Sequence, residues 1–241
     1  MPKITDEWDP PQPRWIAVEN YAISHLHSSS SPDTVPSPAT LQHALSNSAK
    51  AGLPDISVSP SQGKYLQLTA RLSRAKRILE LGTLGGYSTM WLATAAPDVH
   101  VTTVELDAHR AQVARDNIAA AGLAARVDVR LGAGVDVLAE LGRQVAAGQR
   151  DAFDFFFIDA DKPNNWNYVD LALGMCVPGS CIIVDNVVRS GYLVVEDSEN
   201  ERIEGARHVI EKIGKDPRVD GVVVQTVDEK GYDGFVLAVT K

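Results

Sequence analysis

Residues 79–88 read "LELGTLGGYS". An apolar run ends in a glycine-rich turn and reopens as a helix, which is the pattern of a strand–turn–helix unit. The glycines let backbone approach a ligand closely, and the following helix N-terminus offers unpaired N–H groups. The spacing is G-x-x-G-G, not the G-x-G-x-x-G of dinucleotide folds, which weakens a phosphate-cradle reading. Glu80, inside the strand, would repel a pyrophosphate and suits a ligand carrying positive charge. The plainer alternative is a tight connection whose glycines serve geometry alone.

Outward from this unit, apolar runs recur at 77–81, 100–105, 126–131, 153–158 and 181–184. Helical patterns lie between and after them, over about 60–74, 86–95, 108–121, 134–146, 164–175 and 200–214. This alternation predicts βαβ units, and hence an α/β fold with a parallel sheet covered on both faces. The ending departs from it. "GVVVQTV" (221–227) and "FVLAV" (235–239), joined by "DEKGYDG", read as a hairpin, so two final strands, at least one antiparallel, complete the sheet. Residues 1–56 have another texture, with Pro10, Pro11, Pro13, Pro32, Pro36, Pro38 and Pro54 and the polar stretch "HSSSSPDTVPSP" (27–38). Short helices are expected at 14–27 and 39–51. The segment is too short to bury its own core, and it reads as a lid or docking arm on a main domain over 57–241.

Twenty-three Lys and Arg against 31 Asp and Glu leave the 241-residue chain at −8. That field disfavours nucleic acid and anionic membrane surfaces and leaves small molecules as the expected partners. Cys176 and Cys181 make neither a disulfide framework nor a zinc cluster, and read as small buried hydrophobes. The start "MPKITDEWDPPQPRW" does not resemble a signal peptide, and no apolar run approaches the ~20 residues that span a bilayer. The cytoplasm is the expected location.

Open parallel sheets bind ligands at the carboxyl ends of their strands. Glu105 ends the second strand in "VTTVELD", where a carboxylate can accept both hydroxyls of a ribose. Nicotinamide enzymes use the same device, so Glu105 indicates a ribose without choosing the cofactor. "LGAGVDVL" (131–138) offers small residues, Ala133 and Gly134 among them, that permit contact with a flat ring. Asp159 and Asp161 follow the fourth strand in "FIDADKPNNWNY" (157–168), and Asp185 and Asn186 follow the fifth in "IIVDNVV". If those strands are neighbours, Asp159, Asp185 and Asn186 form a hard oxygen set suited to magnesium or calcium and not to zinc. Helix capping is the alternative for either acid alone. Lys162, at an expected helix start beside this set, sits where the dipole and a cation favour its neutral form, the form a general base needs. A salt bridge with Asp161 or Asp159 is the other reading.

In this order and spacing, "ILELGTLGGYS", "VELD", "FIDADKPNNWNY" and "VDNVV" resemble the metal-dependent O-methyltransferases of the caffeoyl-coenzyme A and catechol type, over about residues 57–241. The resemblance implies a seven-stranded, mostly parallel, Rossmann-like methyltransferase sheet with an antiparallel last strand. It implies that Val58, Glu80, Gly82, Ser88, Glu105, Ala133, Gly134, Asp161 and Tyr168 bind S-adenosylmethionine. Asp159, Asp185 and Asn186 would hold a divalent metal, magnesium first, with manganese or calcium as alternatives. Lys162, assisted by Asp159, would be the catalytic base, and Ser190 matches a substrate-side position. The implied reaction moves a methyl group to a hydroxyl of a catechol-like phenolic small molecule, with the arm helping to form the substrate mouth and a homodimer contact. Trp166, Phe157 or aromatics of the arm are expected to exclude water. The rival readings are a nicotinamide-dependent oxidoreductase and a catalytically idle methyltransferase-like binding protein.

Overall fold

The computed structural model describes residues 11–27, 36–195 and 199–241. Most of the polar stretch 27–38 and the centre of the 187–200 loop lie outside them. Seven strands form one sheet: β1 (Arg77–Leu81), β2 (His100–Glu105), β3 (Val127–Leu131), β4 (Phe153–Ile158), β5 (Cys176–Val184), β6 (Val219–Asp228) and β7 (Gly231–Thr240). Their order is β3-β2-β1-β4-β5-β7-β6. The first five are parallel, and β7 enters between β5 and β6 antiparallel to both.

Successive side chains of a strand face opposite sides, and β4 shows the result. Phe155 and Phe157 join Ile78, Val101 and Ile183 in one apolar layer, while Phe156 and Ile158 join Leu79, Val104 and Ile182 in the other. The first layer is covered by α2 (Pro38–Lys50), α3 (Pro60–Leu72), α4 (Tyr87–Ala93) and α5 (Ala108–Ala120). The second is covered by α6 (Gly134–Ala146), α7 (Asn165–Leu173) and α8 (Glu201–Ile213). A strand buried on both sides must be apolar, which is why 155–158 read as a continuous run; Asp154, near the strand's start and not buried, accepts the Lys76 and Arg77 N–H groups.

Two bounds differ from the sequence reading, each for a local reason. β5 begins five residues early, because Cys176 pairs with Phe153 before a register irregularity that takes in Pro178 and Gly179, the latter at φ +82°. The final hairpin is tighter than expected. Asp228 already pairs with Gly231, so "GYDG" lies in β7 and not in a turn. Of the N-terminal segment, α1 (Pro13–Leu26) lies near the hairpin, where Glu19 Oε2 accepts the Glu229 N–H at 2.8 Å. α2 contributes Leu41 and Ala44 to the first apolar layer, and Asn47 Nδ2 donates to Asn117 Oδ1 at 2.7 Å. Among the described residues no helix is long and apolar enough to cross a membrane.

The chain runs outward from β1 through β2 to β3, then returns to place β4 on the other side of β1. Strand order therefore reverses between β1 and β4, and the crevice at their carboxyl ends is where such sheets take ligands.

Candidate active site

At the end of β1 the first predicted contact, Gly82, stands at φ +90°, and a side-chain carbon there would lie 2.0 Å from the Asp159 carbonyl oxygen. The approach of β4 alone therefore demands glycine. Glu80 is wholly buried. Ser88 Oγ donates to its Oε1 at 2.6 Å and the Thr89 hydroxyl donates to Oε2. Burial pushes the Glu80 carboxyl up to about 7 against those hydrogen bonds, and the charge of Asp159 adds to the rise. Glu105 closes the same turn from β2. Its Oε2 accepts the Leu84 N–H at 2.8 Å, its Oε1 the Asp107 N–H at 3.0 Å, and Leu84 itself is held at φ +49°. A carboxylate oxygen has about two acceptor positions, so each retains capacity for a ribose hydroxyl.

Ala133 caps α6, and Gly134 opens it against the Tyr168 ring, which a side-chain carbon would meet at 2.8 Å. The buried Tyr168 hydroxyl donates to Asp161 Oδ1, while Asn164 Nδ2 donates to Asp161 Oδ2. Burial first, then Asp161, raises the phenol's pKa. Val58 is half-buried against the first apolar layer, just before α3. Glu80, Gly82, Ser88 and Glu105 thus surround one turn, and Gly134, Tyr168 and Asp161 form a second unit between α6 and α7.

β4 and β5 are neighbours, with Ile158 opposite Val184 and the Asp185 N–H donating to the Ile158 carbonyl at 2.9 Å. Asp159 and Asp185 therefore leave adjacent strands at the same level. Asp185 is buried, its Oδ1 accepting the Asn186 N–H at 2.9 Å and its Oδ2 accepting Gln62 Nε2 at 2.8 Å. Burial and then the like charge of Asp159 lift its carboxyl well above the usual range, and Lys162 opposes the rise. Lys162 Nζ lies 2.9 Å from Asp159 Oδ1, with the lysine side chain only 9% exposed. The salt bridge anticipated as an alternative is therefore formed. Asp159 is the partner, while Asp161 is engaged by Tyr168 and Asn164. Lys162 occupies a single 3₁₀ turn at 162–164 ahead of α7.

Two side chains escaped the sequence reading. Gln62 carries a faint signal, the Ser59-x-x-Gln62 spacing of a capping box. Asp233 carries none, because "GYDG" reads as a turn. Asp233 Oδ1 accepts the N–H groups of Val188, Arg189 and Gly234 at 3.1, 2.9 and 2.9 Å. It pins to β7 the loop in which Asn186, Arg189 and Ser190 have φ of 54°, 55° and 53°. Ser190 Oγ donates to the Tyr232 carbonyl at 3.1 Å in the same junction. Of the aromatics expected to exclude water, two pack and one is exposed. Phe157 is fully buried inside the sheet, Trp166 packs on the second apolar layer with Lys212 Nζ 5.9 Å from its ring centroid, and Tyr21 faces outward. A cavity of about 750 Å³ at the amino ends of β1–β4, lined by Lys76, Arg77, His100, Arg150 and Phe153 among others, contains none of the predicted residues.

Asp159, Asp185 and Asn186 fit a hard divalent cation by donor chemistry: two carboxylates and an amide oxygen, with two negative charges facing one ammonium. The acid count is small. Among the described residues no group of three or more His, Cys, Asp or Glu side chains could hold a metal ion.

A family described as O-methyltransferase matches residues 28–239, a span that starts within the N-terminal segment and includes α2. The O-methyltransferase imqG of Aspergillus flavus is 48% identical over 231 residues, 95% of this chain and 92% of that protein. A catechol O-methyltransferase of Niastella koreensis is 45% identical, across 82% of this chain and 88% of that one. The solved O-methyltransferase of Bacillus cereus in complex with SAH superposes at a TM-score of 0.86 and 44% identity, covering 95% of this chain and 99% of that chain. A strand-end crevice built around Glu80 and Glu105, on this sheet and with these relatives, places the chain in the O-methyltransferase family as an S-adenosylmethionine-dependent enzyme.

Proposed function

We propose that the acceptor is a catechol-like small molecule with two adjacent hydroxyls, and that a divalent cation at Asp159, Asp185 and Asn186 assists the transfer. The observation that carries this reading is the pair of acids at adjacent strand ends, one lifted first by burial and then by the other's charge, with Lys162 opposing the rise. A buried carboxylate beside a second, half-buried one is costly unless a cation compensates them, and two vicinal oxygens are the natural complement to a cation with open positions. The relative named catechol O-methyltransferase supports the same class.

S-adenosylmethionine supplies an electrophilic methyl group, and a bound divalent cation supplies stabilisation of an acceptor oxygen that has lost its proton. The chain supplies the rest. Glu105 and its turn hold the ribose end, Ala133, Gly134, Asp161 and Tyr168 line the ring end, and Val58, Glu80, Gly82 and Ser88 frame the methionine end. Lys162 Nζ would receive the acceptor's proton in its neutral form, the ammonium now paired with Asp159 having first given its own proton to solvent. The main contribution is position, with acceptor oxygen and methyl carbon held about 3 Å apart in line. The exposed apolar side chains Val18, Tyr21 and Leu26 of α1, with Leu68 and Leu72 of α3, support a homodimer.

The test is methyl transfer to a panel of vicinal diphenols and matched monophenols, with magnesium or chelator. Transfer confined to diphenols and lost in chelator is expected, and equal monophenol turnover in chelator refutes the reading. Lys162→Ala should slow transfer about 10²–10⁴-fold with cofactor affinity unchanged. An unaltered rate removes it as the base.

A further inference from the structure

We propose that Gln62 is a positioning residue for the cation site: its side-chain amide holds Asp185 in the orientation that meets the ion. The inference rests on the metal reading above. The first argument comes from the local structure it gives up. Ser59 caps α3, and its Oγ accepts the Gln62 N–H at 3.2 Å. In a reciprocal capping box the glutamine side chain turns back to the cap's own N–H. Gln62 instead sends Nε2 to Asp185 Oδ2 at 2.8 Å, to a partner 123 residues away in the chain. The backbone half of the box is kept, and the side-chain half is diverted to the strand-end acids.

The second argument is orientation. Oδ1 of Asp185 is fixed by the adjacent Asn186 N–H, and Oδ2 by Gln62. With Gln62 removed, one hydrogen bond from the next residue opposes the repulsion of Asp159, and the carboxylate is free to swing off the face it shares with that acid. The third is chemistry. A lysine at this position would compete with the cation, and a glutamate would add a third buried acid. A neutral amide orients the ligand without changing the charge the ion meets, the ordinary role of a group hydrogen-bonded to a metal's carboxylate. The helix that carries Gln62 is anchored, because Leu66 and Ala70 of α3 are wholly buried in the first apolar layer.

Titration of the full chain with Mn²⁺, reading free ion by electron paramagnetic resonance without acceptor, tests this. Gln62→Leu keeps the volume and removes the donor. It should weaken Mn²⁺ binding about 10–100-fold while S-adenosylhomocysteine affinity, by calorimetry, changes less than about twofold. Gln62→Ala should do the same and guards against a packing fault of the leucine. Unchanged Mn²⁺ affinity in both variants overturns the role of Gln62 and leaves the metal reading intact. Parallel loss of Mn²⁺ and S-adenosylhomocysteine affinity in both marks a displaced helix and also overturns it. A wild-type chain that binds no Mn²⁺ overturns the metal reading itself, and this role with it.

Discussion

Glu80 and Asp185 are both buried acids on parallel strands, one inside β1 and one just past β5, yet they stand in different company. Around Glu80 the chain provides two hydroxyl donors, from Ser88 and Thr89, both within nine residues of it. Around Asp185 it provides a backbone N–H, one distant amide and a second acid. The side we propose for the cofactor is thus organised by short-range hydrogen bonds around Glu80, whereas the opposite side concentrates acids that one lysine offsets only in part. A site completed by the protein's own groups and a site for the external cation we propose would differ in this way. The contrast makes opposite predictions for the same kind of mutation.

The largest effect is expected at Asp185. Asp185→Ala removes a proposed cation ligand and should reduce magnesium-stimulated transfer by about a thousandfold, near 4 kcal/mol. The metal-free fold should lose little, because the deletion also relieves the repulsion from Asp159. S-adenosylhomocysteine production with magnesium and with chelator, alongside thermal melting, measures both. Persistent full magnesium stimulation would break the distinction between the two sides.

At Glu80 the effect is on stability and depends on pH. In the folded chain its carboxyl holds a proton up to about 7, against 4.5 as the reference value. The folded form therefore binds the proton more tightly than the unfolded form. The resulting stabilisation is complete below about pH 4.5 and is lost as the pH rises through about 7, a change of about 3 kcal/mol. Glu80→Gln removes this titration. Urea unfolding at pH 5 and pH 8 should show the variant gaining on the wild type by about that amount at the higher pH. Saturating S-adenosylmethionine, whose cation would favour the charged acid, should shrink the difference. Parallel pH curves for the two proteins would mean that Glu80 does not titrate as its surroundings require.

The sheet was largely legible in the sequence because its signals are local. The runs at 77–81, 100–105 and 153–158 coincide with β1, β2 and β4, since each is bounded by turn residues and buried on both faces. The early start of β5 was not legible, because Pro178 and Gly179 break the pattern while the chain continues to pair. The strand tips could be read as carrying acids, but the adjacency of β4 and β5 was only a condition until the strand order was known. Gly82 and Gly134 drew attention as ligand contacts, and each also meets a protein neighbour, Asp159 and Tyr168, that no spacing announces. Gln62 and Asp233 reach the site from α3 and β7. Their partners lie 123 and 45 residues away, beyond the range of any periodicity.

Asp161 provides the finest test, because it follows β4 on the acid-rich side but faces the cofactor side through Tyr168. Its carboxylate accepts the Tyr168 hydroxyl, and Tyr168 packs on the start of α6. Tyr168→Phe removes that donor and keeps the ring against Gly134. Asp161 is exposed and retains Asn164, so the loss should be modest, about 1 kcal/mol or roughly fivefold in S-adenosylmethionine affinity. Mn²⁺ affinity should not move, since Asp159 is tied to Lys162 and not to this hydroxyl. Calorimetry for the cofactor and ion titration on the same variant measure the two sides separately. If both affinities fell together, Asp159 and Asp161 would act as one unit, and the boundary between the two regions would have to be drawn at β1 and not within the 159–161 turn.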